Sequence, residues 1–360
     1  MHTMKSLVAA LLVFAALSCS AQKRFVVIDQ DGAGPGGTDQ MSILALLQAP
    51  NVDVLGITMV TGDQWRDEET LHTLRMLGLT GHGNVPVARG AVFPLVRSQA
   101  ETERAAALYG KAEWLGAWGP HTEPTASGGS IKIPGHGPYE VPALPEGMPT
   151  IKPISEDAAH FLVRTIHAHP HQVTLYAAGP LTNIALAISL DPEFAALTQG
   201  IVLMGGSLNP QTSDAEFASD PRHEFNLWFD PEAAHIVLRA DWPRVEVTTA
   251  DVSLKAPFTQ SVLDAIAKSN TLAARYVAQW SKPRSYMWDE LTACAWLDPT
   301  LITREQTLYM DVDLSRGASY GDTLTWTEAD KPATAAHPVH VQLDVDTARF
   351  QKMFVNLMTR

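Results

Sequence analysis

The chain alternates between short apolar runs and longer stretches in which apolar residues recur at helical spacing. Phe25-Val-Val-Ile28 is a continuous apolar run ending in Asp29, the pattern of a strand buried on both faces. Gln40–Gln48 then reads as a helix closed by Ala49-Pro50, and Val52–Val60 as a second strand. Glu68–Leu79 reads as a helix with Leu71, Leu74, Met76, Leu77 and Leu79 as its apolar positions. The order returns downstream: helix 155–167, strand 173–177, helix 181–190, strand 200–204, helix 231–239, strand 244–249, then one long helix over 261–280. Val341–Asp346 reads as the closing strand. Strand and helix in alternation predict an α/β fold, an open and mostly parallel sheet flanked by helices in a single large domain. Ligands of such sheets bind beyond the carboxyl ends of the strands. Asp29, Asp31, Asp63, Ala178 and Gly205 therefore fall on one rim.

Two stretches break the pattern. Residues 110–150 are rich in Gly, Pro, Trp and His without periodicity, too long for a connector, and predict an inserted active-site flap. Residues 1–21 carry Lys5, an apolar core from Leu7 to Leu17 too short to span a membrane, and the small residues Ser18-Cys-Ser-Ala21. That is the layout of a signal peptide. It predicts export to the periplasm or medium, a mature domain over 22–360, and lipid anchoring through Cys19 as the alternative. Cleavage would leave Cys294 as the single thiol, so no internal disulfide is expected.

Hydrophobic residues make up 46% and charged residues 18% of the chain, which excludes a disordered tail, a collagen-like chain and a disulfide-dense mini-domain. With 26 basic against 39 acidic side chains the formal charge is −13, which argues against nucleic acid as a partner. A neutral or cationic small molecule fits better.

Ile28-Asp-Gln-Asp-Gly-Ala-Gly-Pro-Gly-Gly-Thr-Asp39 lies between the first strand and the first helix, and three chemistries compete for it. Gly32, Gly34 and Gly37 satisfy a dinucleotide fingerprint, but Asp29, Asp31 and Asp39 would repel a pyrophosphate. Asp29-x-Asp31 resembles the nucleophile of haloacid-dehalogenase-like phosphotransferases, without the lysine and distal acidic pair that chemistry needs. Carboxylates at Asp31 and Asp39 on a flexible loop suit a hard, oxygen-seeking cation such as Ca²⁺. A solvated loop with Asp39 as helix N-cap remains the plain structural reading.

Further motifs follow in order: Ala178-Gly-Pro-Leu-Thr-Asn-Ile-Ala185, Ile201-Val-Leu-Met-Gly-Gly206, Glu224-Phe-Asn-Leu-Trp-Phe-Asp-Pro-Glu-Ala-Ala234 and Trp288-Asp-Glu-Leu-Thr-Ala293. Together with the acidic first loop, these resemble the inosine-uridine-preferring nucleoside hydrolase family. The resemblance implies hydrolysis of the N-glycosidic bond of a ribonucleoside, with a nucleoside as the small-molecule partner and assembly as a homo-oligomer, dimer or tetramer. It implies Ca²⁺ held by Asp31, Asp39, Asp289 and the Ala178 carbonyl, with Asp31 also taking a proton from the attacking water. Asp289 could instead cap the helix Glu290–Leu297.

Glu224 and Asn226 match the family's ribose-binding pair. Read as an extended stretch, Glu224–Trp228 puts those two on one face and Phe225 on the other. Met204 would floor the sugar, and Asp63 matches a position that contacts the base. Trp288 stands where many members have a histidine that protonates the leaving base. The chain therefore resembles the purine-leaning inosine-adenosine-guanosine subgroup, in which aromatic stacking replaces that acid. Trp114 is the expected second wall of the stack, with Trp118 and Trp65 as alternates. His167, His169 and His171 could suggest a metal, but lie opposite the rim and read as a solvated turn.

The chain departs from the family pattern in three places. Three extra residues separate Asp31 from Asp39, and Thr38 replaces the first Asp of a usual pair. Ser213, with Asn209 nearby, stands where an Asn for the sugar 5′-hydroxyl is expected. The cation set is intact and the sugar set altered. Two rivals follow, a non-catalytic calcium-containing nucleoside- or sugar-binding protein and a hydrolase of another ribosyl compound.

Overall fold

The computed structural model describes residues 23–333 and 337–360. The signal-peptide reading and Cys19 lie outside the described residues. Eleven strands are seen among these: β1 Arg24–Gln30, β2 Val52–Met59, β3 Val87–Arg89, β4 His121–Pro124, β5 Ser130–Ile133, β6 Val173–Ala178, β7 Gly200–Met204, β8 Val245–Thr248, β9 Ile302–Val312, β10 Thr323–Trp326 and β11 Pro338–Val345. Nine form one sheet in the order β10-β9-β11-β8-β7-β6-β1-β2-β3, and β4 pairs with β5 as a separate hairpin. From β11 to β3 every pairing is parallel, and β9 alone runs against its neighbours.

Side-chain parity shows why these runs make a parallel sheet. In β1, Val26 and Ile28 enter one core while Val27 enters the other. In β6, Tyr176 and Ala178 go one way and Val173, Leu175 and Ala177 the other. A strand apolar at every position is stable only when helices cover both faces.

The helices are α1 Thr38–Gln48, α2 Arg66–Thr80, α3 Gln99–Tyr109, α4 Ala158–Ala168, α5 Thr182–Leu190, α6 Ala215–Ser219, α7 Phe225–Phe229, α8 Pro231–Leu238, α9 Ala250–Ser253, α10 Gln260–Ala267, α11 Leu272–Trp280, α12 Trp288–Leu297 and α13 Thr347–Met358. α1, α11, α12 and α13 feed the first core, and α4, α5 and α8 the second.

The expected long helix over 261–280 is two helices. Ser269-Asn-Thr271 interrupts it, and the Thr271 hydroxyl caps α11 by accepting from the Ala274 amide at 3.2 Å. The extended reading of Glu224–Trp228 is also corrected. The Glu224 carboxylate accepts from the amides of Asn226 and Leu227 at 3.0 and 3.1 Å, which nucleates α7. Phe225, Trp228 and Phe229 then enter an aromatic cluster with Trp65 and Trp118.

The strand order places the site. From β1 the chain builds one way to β2 and β3, and the other way through β6, β7 and β8, so the sheet switches direction between β1 and β6. At such a point the loops diverge and leave a crevice. Gln30 and Ala178 are register partners there, which puts the loop after β1 beside the loop after β6.

Candidate active site

A cavity of about 270 Å³ opens at this switch point. Its volume lies at the small end of ligand sites, ~300–1,000 Å³, enough for a molecule of one or two rings. Asp31, Thr38, Asp39, Asp63, Trp114, Ala178, Met204, Glu224, Asn226, Trp288 and Asp289 all line it, joined by Glu216, Phe217, Phe225 and Arg284. Side chains from seven separate stretches of chain thus converge.

Asp31 is seated by close packing. Its backbone amide donates to Gln30 Oε1 at 2.8 Å, and its Oδ2 accepts from the Asp63 amide at 3.0 Å. A Cβ on Gly62 would stand 2.1 Å from Asp31 Oδ2, and one on Gly179 would stand 2.8 Å from the Asp31 amide. Only glycine at both positions leaves the carboxylate room. Asp39 sits inside the first turn of α1, so it is not the N-cap, and its Oδ2 accepts from the Ala33 amide at 2.8 Å. Asp289 likewise lies inside α12 and does not cap it. Gln30 Nε2 donates to its Oδ2 at 3.0 Å, and the Tyr176 hydroxyl donates to its carbonyl at 2.8 Å.

Burial raises all three carboxyls, and acid facing acid raises them further. Asp31 stands well above the usual carboxylate range through burial and the charges of Asp39 and Asp63. Asp39 is pushed up to about 7 by burial and Asp63, and it hydrogen-bonds Asp289. Asp289 is raised well above its ordinary value by burial, Asp39 and Asp31. Six carboxylic acids line the cavity against one arginine among the described residues, and Arg284 is already paired with Glu290. Such a lining repels phosphate and suits positive charge.

The remaining positions divide. Glu224 adds the Gly206 amide to its bonds, at 2.9 Å, and Asn226 donates to the Met204 carbonyl at 3.1 Å. Trp114 Nε1 donates to Asp63 Oδ1 at 2.6 Å, so the indole and this acid form one wall. Trp288 lies across Tyr286 at 4.8 Å between ring centres. The alternates Trp65 and Trp118 are core instead: Trp118 stacks on Phe229 at 4.4 Å, and Trp65 donates to the His136 carbonyl. Thr38 donates to Glu290 Oε2 at 2.6 Å and accepts from the Asp289 amide at 3.2 Å. The hydroxyl replacing the family's carboxylate is thus tied to a buried acid behind the cavity.

Ser213 is exposed and does not line the cavity, because the chain turns into α6 and presents Glu216 and Phe217 there instead. Asp29 also stays off the cavity, holding Thr58 and Asn183. That removes the aspartyl-nucleophile reading. His167 pairs with Asp191 at the surface, and His169 packs on Phe25, both near the opposite end of β6.

Two features escaped the sequence reading. Glu216 is largely buried, and its carboxyl is pushed up to about 8, first by burial and then by Glu224, Asp214, Asp63 and Glu113. An acidic residue in a short amphipathic turn has no pattern that marks it. The second group, Glu68, His72 and Glu123, brings three potential ligand atoms within 4.8 Å of one another beneath the 110–150 segment. The rim acids do not close to that spacing: Asp39 and Asp289 touch, while Asp31 acts on both through its charge.

A mostly parallel sheet whose switch point opens onto a small cavity lined with acids is the architecture of an α/β protein that takes a small molecule at its strand ends, with a lining that disfavours phosphate. The sequence model of the inosine-uridine preferring nucleoside hydrolases matches residues 26–352, and the chain belongs to that family. It is an N-glycosyl hydrolase of ribonucleosides.

The inosine-uridine preferring nucleoside hydrolase of Leishmania major is 28% identical over 90% of this chain and 94% of its own. A pyrimidine-specific ribonucleoside hydrolase of Salmonella arizonae is 34% identical over 64% of this chain, which spans 61% of that protein. Among solved structures, a purine-preferring ribonucleoside hydrolase from Gardnerella vaginalis shares the fold, with TM-score 0.71, 24% identity, and coverage of 93% of this chain and 98% of the other.

Proposed function

We propose that the protein hydrolyses purine ribonucleosides to free base and ribose, with Ca²⁺ held by Asp31, Asp39, Asp289 and the Ala178 carbonyl. The observation that carries this is the convergence of those four positions, drawn from across the chain, on one cavity. The donors are all oxygen, and the buried acids lack compensating charge, which fits a hard divalent cation rather than a thiophilic one. Bound there, the ion would orient the sugar hydroxyls and lower the pKa of a water.

This chain's residues supply the rest. Asp31, fixed by the Asp63 amide and the two glycines, takes the proton of the attacking water. Glu224 and Asn226 face the sugar, with Met204 beneath it. Asp31, Asp39, Glu224 and Asp289 favour positive charge growing on the ribose ring. Trp114 and Trp288 offer aromatic faces to a base, and the absence of a histidine before Asp289 favours purines over pyrimidines. Glu216 keeps its proton to about pH 8 on the same cavity wall and is not one of the cation-holding positions, so we assign it the protonation of the departing base. Read as a signal peptide, residues 1–21 support a reaction outside the cytoplasm.

The altered sugar contacts, Thr38 turned to Glu290 and Ser213 exposed, favour one second reading: a hydrolase of another ribosyl compound. Free base released from inosine, adenosine, guanosine, uridine and a simple ribosylamine, measured with and without a calcium chelator, separates the two. Chelator-sensitive purine release with weak uridine release is expected. Release from the ribosylamine alone would replace the purine reading, and no release from any substrate would point to a binding protein.

A further inference from the structure

A second group of ligating side chains lies beneath the 110–150 segment. Glu68 and His72 are four apart on α2, hence on one helical face. His121 and Glu123 are two apart on β4, hence on one strand face, and both are buried while Thr122 between them is exposed. Helix and hairpin bring the four together: His72 Nε2 is 3.3 Å from Glu123 Oε1, His121 Nε2 is 3.3 Å from Glu123 Oε1, and His121 Nε2 is 3.4 Å from Glu68 Oε1.

Unpartnered atoms point into this space. His72 Nε2, Glu68 Oε1 and Glu123 Oε2 have no hydrogen-bond partner, although their residues are at most 2% exposed. Buried polar atoms are rarely left so. The other ring nitrogen of His72 is held by Glu146, and His136 braces the far oxygen of Glu68 at 3.1 Å. A carboxylate on the distal nitrogen is the usual way a ligating imidazole is oriented.

We propose that Glu68, His72 and Glu123 form a second metal site, for a first-row divalent ion of the Zn²⁺ type, distinct from the oxygen-only rim, with His121 bracing Glu68 and Glu123 beside it. One imidazole and two carboxylates suit such an ion and suit Ca²⁺ less well. The site is closed, so its role is to clamp the hairpin to α2. Gln64 carries the effect to the cavity: its Nε2 contacts His121 at 2.8 Å and Glu123 at 3.1 Å, and its Oε1 accepts from the Gly34 amide at 3.2 Å. Asp63, its neighbour, holds Trp114.

The test uses the purified full chain in saturating Ca²⁺, with Zn²⁺ or Co²⁺ added and free metal then removed. Bound metal is measured by elemental analysis, Co²⁺ ligation by its visible spectrum, and Tm by calorimetry. One equivalent of Zn²⁺ or Co²⁺ is expected, with an imidazole-type Co²⁺ spectrum and a Tm higher by several degrees. Asp39→Asn should retain this equivalent. His72→Gln and Glu123→Gln should each weaken it by at least about 100-fold. Glu123→Gln sits on the hairpin, so a folding failure of the α2 variant does not silence the test. No transition metal on the wild-type chain would overturn the proposal, as would an equivalent that survives both variants or disappears with Asp39→Asn.

Discussion

At the rim, Asp31, Asp39 and Asp289 face one another; under the 110–150 segment, Glu68, Glu123 and Glu146 face His72, His121 and His136. Both groups are buried, yet their charges respond in opposite directions. Rim carboxyls rise because burial and like charge act together. Glu123 is held down at about 2, because the imidazoles of His121 and His72, each 3.3 Å from its Oε1, outweigh its burial. His72 is lifted to about 9 by Glu123 and Glu146 against its own burial. The rim is destabilised by its own charges and opens onto the cavity. The second cluster is compensated from within and closed. Buried charge that is left uncompensated marks where a substrate works, whereas buried charge that is matched marks where the fold is held.

The largest expected effect lies at the rim. Asp31→Asn should lower kcat for a purine nucleoside by about 10²–10⁴-fold, the range of a lost general base, while raising the Tm of calcium-free protein because one repelling acid is gone. A fall in both would show that Asp31 supports the fold instead. Glu123→Gln should do the reverse, costing about 3 kcal/mol in urea unfolding through a broken buried pair, with kcat changing far less.

Glu216→Gln sharpens the difference within the cavity. Its carboxyl is raised from 4.5 to about 8, so it carries its proton, and can donate it, at pH values below about 8. Stability from this group is complete below pH 4.5 and declines as pH rises through about 8. The wild-type enzyme should therefore lose kcat/KM above about pH 8, and the variant should lose that limb together with about 10²-fold in kcat. A nitrophenyl riboside, whose leaving group needs no proton, should be hydrolysed nearly as well by the variant; an equal loss on both substrates would remove the acid role. The smallest effect is expected from Trp114→Ala. Losing one aromatic wall should raise KM for inosine by about tenfold, with kcat little changed.

Legibility followed sequence distance. The sheet-and-helix order and the acid loop could be read directly, because each is a local pattern with a fixed period or spacing, whereas Glu224, Asn226 and the Trp288-Asp289 pair came from the resemblance to a family. The conformation of 224–228 could not, since the Glu224 carboxylate capping its own amides turned an alternating stretch into a helix. Ser213 was misplaced for a related reason: counting along the chain ignores the turn that brings Glu216 to the cavity. Glu68-x-x-x-His72 and His121-x-Glu123 are each unremarkable pairs until a hairpin folds onto a helix.

By itself, then, the sequence determined which residues are buried in strands, which helices cover them, and that several acids would end at one rim, because periodicity and strand polarity are properties of the backbone. Only the tertiary structure decided which acids are left facing like charge, which are matched by histidine, and which side chains line the cavity. Those outcomes depend on distances of a few ångströms between segments more than 250 residues apart, as with Thr38 and Glu290, 252 residues apart, and no local pattern encodes such distances.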